Sequence, residues 1–177
     1  MNKLIITLLC LATIAHAQVP EKKQRLWDAE TAVEDRNPSL AAKLYASLNA
    51  DYPNDSTIIH SQAFYCWAHG HSSYNIDLLK MAIASLQKFD SIYPSTVNKL
   101  YLETAKEKLI EALVRKNKPA NKSEYIIAYE ESTKKLNKLL DLYNKEVANV
   151  NQDGKITYLA ERDIMDAKSA ITMLSEK

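Results

Sequence analysis

The chain has 177 residues, 23 Lys and Arg against 22 Asp and Glu, a formal net charge of +1 and 46% hydrophobic residues. Charge this close to balance offers no basic field for nucleic acid or an anionic membrane. With two glycines and two cysteines, the chain builds neither a glycine-rich phosphate cradle nor a disulfide framework.

Asn2 and Lys3 open the chain with a short positive segment, residues 4–14 are apolar apart from Thr7 and Thr13, and Ala15-His16-Ala17 supplies the small residues of a cleavage site. That apolar run is far shorter than the roughly 20 residues of a spanning helix. Residues 1–17 are therefore predicted to be a signal peptide cleaved after Ala17, with the mature chain periplasmic or secreted and without a membrane span. Leu9 before Cys10 is too bulky for a lipid-anchor site. Cleavage removes Lys3 and leaves 22 basic residues against 22 acidic ones. It also leaves Cys66 as a lone thiol beside Tyr65 and Trp67, predicted to be a buried small hydrophobe. The remainder, 18–177, is of one-domain length and buries about 70% of its unfolded surface.

Strand-like alternation is absent, and apolar residues recur at helical spacing. The first helix, from Pro20 to Arg36, carries Leu26, Ala29 and Val33. Asn37-Pro38 starts the second as cap and first-turn proline. That helix carries Ala41, Leu44, Tyr45 and Leu48 and stops at Tyr52-Pro53. Asp55 and Ser56 are candidate caps of the third, which presents Ile59, Ala63, Cys66 and Trp67 and is predicted to end at Gly70. After Asn75 a fourth helix shows Leu79, Ala82, Ile83, Leu86 and Phe89 and ends at Tyr93-Pro94. Ser95 or Thr96 caps a fifth helix, with Val97, Tyr101, Ala105, Leu109 and Ala112 inward, which runs to Lys116.

Pro119 breaks the chain in a linker at 117–123. Two longer helices follow within 124–177. One has Tyr129, Leu136, Leu139 or Leu140, Tyr143 and Val147 on its stripe; the other has Ala160, Ile164, Ala167, Ile171 and Leu174. Seven amphipathic helices with short links predict an all-α fold of stacked antiparallel hairpins.

A shift of 41 residues lays the second helix over the fourth: Ala41 on Ala82, Tyr45 on Leu86, Leu48 on Phe89, and Tyr52-Pro53 on Tyr93-Pro94. This resembles the second-helix half of tetratricopeptide repeats, in which a small residue lets helices approach, large apolar residues follow, and a proline ends the unit. The resemblance covers residues 18–116; its period exceeds the family's of about 34, and Trp27 is out of register with the family's first-helix pattern. It implies an α-α superhelix whose first helices line a surface for a peptide or partner domain.

On that surface the residues add a candidate stripe, Gln62, Tyr65 and His69 on the third helix. The same shift yields Gln24 and Asp28 on the first helix, with Glu21, and Glu103 and Lys106 on the fifth, with Ile110. The partner expected there is an exported or envelope protein or peptide.

Catalytic patterns are weak. His60, Cys66, His69 and His71 lie close in sequence, but on a helix His60 and His71 stand about 16 Å apart along the axis and His69 points away from both. His69 and His71 are read instead as residues at a helix C-terminus. Glu103, Glu107 and Glu111 form a ladder among lysines that reads as a solvated face. No metalloprotease or nucleophile-elbow motif occurs. The expected protein is not an enzyme and needs no cofactor.

One motif stands apart. Asn149, Asn151, Asp153 and Thr157 place oxygens at positions 1, 3, 5 and 9 of an EF-hand-like loop, with Gly154 at 6. Ala160 occupies position 12 and Glu161 comes one residue late, so any calcium affinity is weak and a polar turn is the simpler reading. Three functions stand as expectations: a non-catalytic exported interaction module; a calcium-responsive helical domain hinged at 149–161; and a periplasmic immunity or inhibitor protein.

Overall fold

The computed structural model describes residues 21–117, 122–147 and 155–175. The predicted signal peptide and the candidate calcium ligands Asn149, Asn151 and Asp153 lie outside the described residues, as does the side chain of Thr157. The fold is all-α, with seven helices and no strand among the described residues. They are α1 (21–34), α2 (Pro38–Asp51), α3 (Ser56–Ser73), α4 (Ile76–Ile92), α5 (Thr96–Asn117), α6 (Lys122–Val147) and α7 (Lys155–Ser175).

Helix starts are written locally. A side-chain oxygen that accepts from the first free amides saves about 1 kcal/mol of helix stability. The Asn37 side chain accepts from Leu40 N at 3.1 Å, and Asp55 from Thr57 N at 3.0 Å and Ile58 N at 3.2 Å. Asn75 accepts from Asp77 N at 3.0 Å and Leu78 N at 3.1 Å, and Ser95 from Asn98 N at 3.1 Å. The two Tyr-Pro stops share one backbone geometry. Tyr52 has φ −128° and ψ 68°, Tyr93 has φ −127° and ψ 71°, and each amide donates to the carbonyl four residues back at 2.8 Å.

Two boundaries differ from expectation. α6 begins at Lys122, inside the predicted linker. α3 runs past Gly70 to Ser73, because the left-handed residue that ends it is Tyr74 (φ 55°), with the Asn75 amide donating back to Gly70 O at 3.2 Å. Gly70 serves packing instead. A Cβ there would lie 3.0 Å from the backbone nitrogen of Leu79 and 3.1 Å from its Cγ, so the missing side chain is what lets α4 approach.

The chain divides into two compact units after Ile58. In the first, α1 and α2 form an antiparallel hairpin. Arg25 near the start of α1 reaches Ser47 (2.9 Å) and Asp51 (2.6 Å) near the end of α2, and Lys22 reaches Asp55 at 2.8 Å. Ala29, Val33, Ala41, Tyr45 and Leu48 are buried.

In the second unit α5 is central, packed against α4, α6 and α7. Toward α6 and α7 the core is Leu100, Leu136, Leu140, Tyr143, Ala160 and Ile164, with Val97, Tyr101 and Leu139 against it. Toward α3 it is aromatic. Tyr101 takes Phe64 and Trp67 edge-on at 4.6 Å each, and Trp67 Nε1 donates to Thr104 Oγ1 at 3.0 Å. Neighbours on so many sides overturn the reading of the Glu103, Glu107 and Glu111 ladder as a solvated face. Glu107 is 0% exposed and Lys108 1% exposed.

Candidate functional site

Beyond the aromatic layer, α3, α5 and α7 bring together a set of charged side chains. His71 is buried, and its Nε2 lies 3.1 and 3.0 Å from the two carboxylate oxygens of Asp163, itself 0% exposed. His71 stands in the last turn of α3, as expected of a helix-terminus residue, but its side chain turns inward to the buried acid that α7 supplies. Lys108 Nζ donates to Glu111 at 2.6 Å and lies 3.7 Å from Asp163 and 3.9 Å from Asp166. Arg115 donates to Glu111 Oε1 through Nε (2.9 Å) and Nη2 (2.6 Å). The Tyr74 ring meets both cations, with Lys108 Nζ 4.9 Å and the Arg115 guanidinium carbon 4.2 Å from its centre.

Burial and charge set these groups apart. Burial works against the Lys108 ammonium, but the Glu111 hydrogen bond and the charges of Asp163, Glu111 and Glu107 outweigh it and raise its pKa. Burial likewise works against the Glu111 carboxylate, and hydrogen bonds from Lys108 and Arg115 overcome it, holding its pKa below the ordinary value. Glu107 has no such donors: burial first, then the Asp163 charge, push it up to about 9. Both Glu107 carboxyl oxygens lack a hydrogen-bond partner among the described residues, as does the Tyr129 hydroxyl. Burial and the Glu107 charge raise the Tyr129 phenol as well.

The cluster opens through two clefts that share Tyr74 and Asp166. The outer one, ≈ 620 Å³, is lined by Trp67, Ala68, His71, Ser72, Tyr74, Arg162 and Asp166. The inner one, ≈ 350 Å³, has Glu111, Arg115, Tyr129, Asp166 and Ser169 as its polar lining and Val114, Ala170 and Met173 as its apolar lining. Tyr74 holds its ring between them from a left-handed backbone (φ 55°) that L residues with bulky side chains rarely adopt.

The residues chosen from sequence for partner binding lie elsewhere, and each helix pairs its own. Gln24 Nε2 donates to Asp28 Oδ1 at 2.9 Å on α1. Tyr65 and His69 stack at 6.2 Å on α3, with Gln62 half-buried one turn before. Lys106 donates to Glu103 at 2.6 Å on α5. On α5, Glu103 and Lys106 point roughly opposite to Tyr101 and Thr104, the residues that meet α3. The stripes of α3 and α5 therefore do not merge into one face. Glu161, the last of the candidate metal ligands, is exposed on α7, and no group of three or more His, Cys, Asp or Glu among the described residues is placed to hold a metal.

A signal for the buried cluster was present in the sequence. The 41-residue shift, applied to the core stripe of α3, takes Ile59 to Leu100, Ala63 to Thr104, Cys66 to Glu107 and Trp67 to Lys108, and all eight are buried. Glu107 and Lys108 thus occupy core positions. Their partners Asp163, Asp166 and His71 are distant in sequence, and no spacing rule joins them. Neither a protein-family model, nor a curated protein, nor a solved structure matches the chain.

Proposed function

We propose that this chain is a non-catalytic exported recognition module, a tetratricopeptide-like stack of helical hairpins that holds a peptide or a segment of an envelope protein in the trough between the end of α3 and the outer face of α7. The observation that carries the reading is the pair of clefts joined at Tyr74 and Asp166. Along α7, Arg162, Met165, Asp166, Ser169 and Met173 share one face over about 16 Å, the reach of about five extended residues. Met165 is 67% and Met173 63% exposed, and flexible thioethers beside an aromatic wall and charges of both signs suit a bound chain segment.

The non-catalytic reading is supported by how the charged groups are spent on one another. Lys108, Glu111 and Arg115 are held in ion pairs. Cys66 is buried and its thiol is pushed up to about 12, which keeps it from acting as a nucleophile. Export rests on the leader sequence, and the repeat reading on the shared terminal geometry and burial of α2 and α4.

The test is co-purification of the mature protein from its own envelope fraction, alongside an Arg162→Glu/Met173→Asp variant with an unchanged circular dichroism spectrum. Both positions are exposed. A partner retained by the native chain and lost from the variant supports the trough. Equal retention by both overturns it.

A further inference from the structure

The charged residues in the wall of the inner cleft are the acids Glu111 and Asp166 and the base Arg115. Four carboxyl groups, Glu107, Glu111, Asp163 and Asp166, stand with two permanent cations, Lys108 and Arg115, and with His71. Arg162 lines the outer cleft. The two cations are already engaged, Lys108 by Glu111 at 2.6 Å and Arg115 by Glu111 and the Tyr74 ring. Asp166 keeps much of its carboxylate accessible and meets Lys108 only at 3.9 Å. Tyr129, 1% exposed, lines this cleft, and its hydroxyl has no partner among the described residues. Both oxygens of Glu107, 0% exposed and outside the wall of this cleft, are also unpartnered among the described residues. A buried polar group without a partner costs about 1–3 kcal/mol, so the Tyr129 hydroxyl in the wall of this cleft points to an incoming group that satisfies it.

We propose that the inner cleft binds a primary alkylammonium group, its alkyl stem against Val114, Ala170 and Met173 and its nitrogen donating to the Asp166 carboxylate and the Tyr129 hydroxyl. The apolar lining fits a stem of four or five methylenes, such as that of lysine. Three N–H donors match the acceptors available at Tyr129 and Asp166. A compact metal ion is disfavoured, because the carboxylates are not placed as a ligand set. An anion would meet Asp166 and Glu111. Both a free aliphatic amine and a lysine side chain offer this chemistry. The assignment to lysine rests on the recognition reading above.

The experiment is isothermal titration calorimetry of the mature chain with n-pentylamine, with n-pentanol, and with the capped tripeptide acetyl-Gly-Lys-Gly-amide. Saturable binding of pentylamine is expected, with none of pentanol. Asp166→Asn and Tyr129→Phe should each weaken binding about ten-fold or more. Tyr129→Phe should melt no lower than the native chain, since the hydroxyl it removes makes no bond among the described residues. Absence of saturable pentylamine binding at millimolar concentration, equal binding of pentanol, or unchanged affinity in both variants overturns the site. Pentylamine binding without tripeptide binding upholds the cation site and assigns it to free amines, against the peptide reading. A partner lost with the trough variant, where pentylamine does not bind, upholds recognition and ends the cation inference.

Discussion

Lys108 shows at the level of one residue how the second unit is held together. Its ammonium is 1% exposed and lies among Glu111, Asp163 and Asp166, so it neutralises acids contributed by both α5 and α7. Removing one partner of a buried pair leaves uncompensated charge, which typically costs about 3–5 kcal/mol. Lys108→Met keeps most of the aliphatic volume and should destabilise by that amount in urea unfolding. A loss below about 1 kcal/mol, the size of a surface pair, would show that the cluster is hydrated and structurally idle. His71 meets the same Asp163 at 3.0 Å, a contact that was not legible, because a histidine near a helix end and an aspartate on a distant helix carry no mutual signal.

Helices read well where their signals are local. Caps at Asn37, Asp55 and Ser95, and the two Tyr-Pro stops, fall where the sequence predicts, since each depends on a few neighbouring backbone groups. Gly70 reads as a terminator in the sequence because a glycine near a helix end is most often the left-handed residue. Here Tyr74 takes that conformation and Gly70 admits α4. Gly70→Ala puts a methyl 3.0 Å from a backbone nitrogen that cannot swing aside. It should lower stability by about 1–3 kcal/mol despite alanine's better helix propensity. A thermal melt equal to or above that of the native chain would refute the close approach.

Across the molecule as a whole the cluster sets a dependence on pH. Glu107 titrates at about 9 in the fold against an ordinary value near 4.5, so between those values the folded state binds a proton that the unfolded state has lost. Its contribution to stability is fully present below pH 4.5 and is lost as pH rises toward 9. Asp55 works in the opposite sense. The Lys22 hydrogen bond holds it below its ordinary value of 3.8, so its contribution is present above that pH and is lost in acid. Stability should therefore fall from pH 5 to pH 9 in urea titrations, and Glu107→Gln should flatten that fall. An equal slope in the variant would mean that Glu107 is ionised within the fold.

The sequence by itself determined the all-α class, the helix succession and most helix ends, because periodicity, caps and stops act over a few residues of backbone. Tertiary structure alone decided that α5 is enclosed on several sides, that its acids and lysine are interior, and that His71 faces Asp163. Whether a charged helical face meets water or other helices depends on how many neighbours pack against it. Those neighbours come from distant parts of the chain, and the helix's own periodicity does not record them.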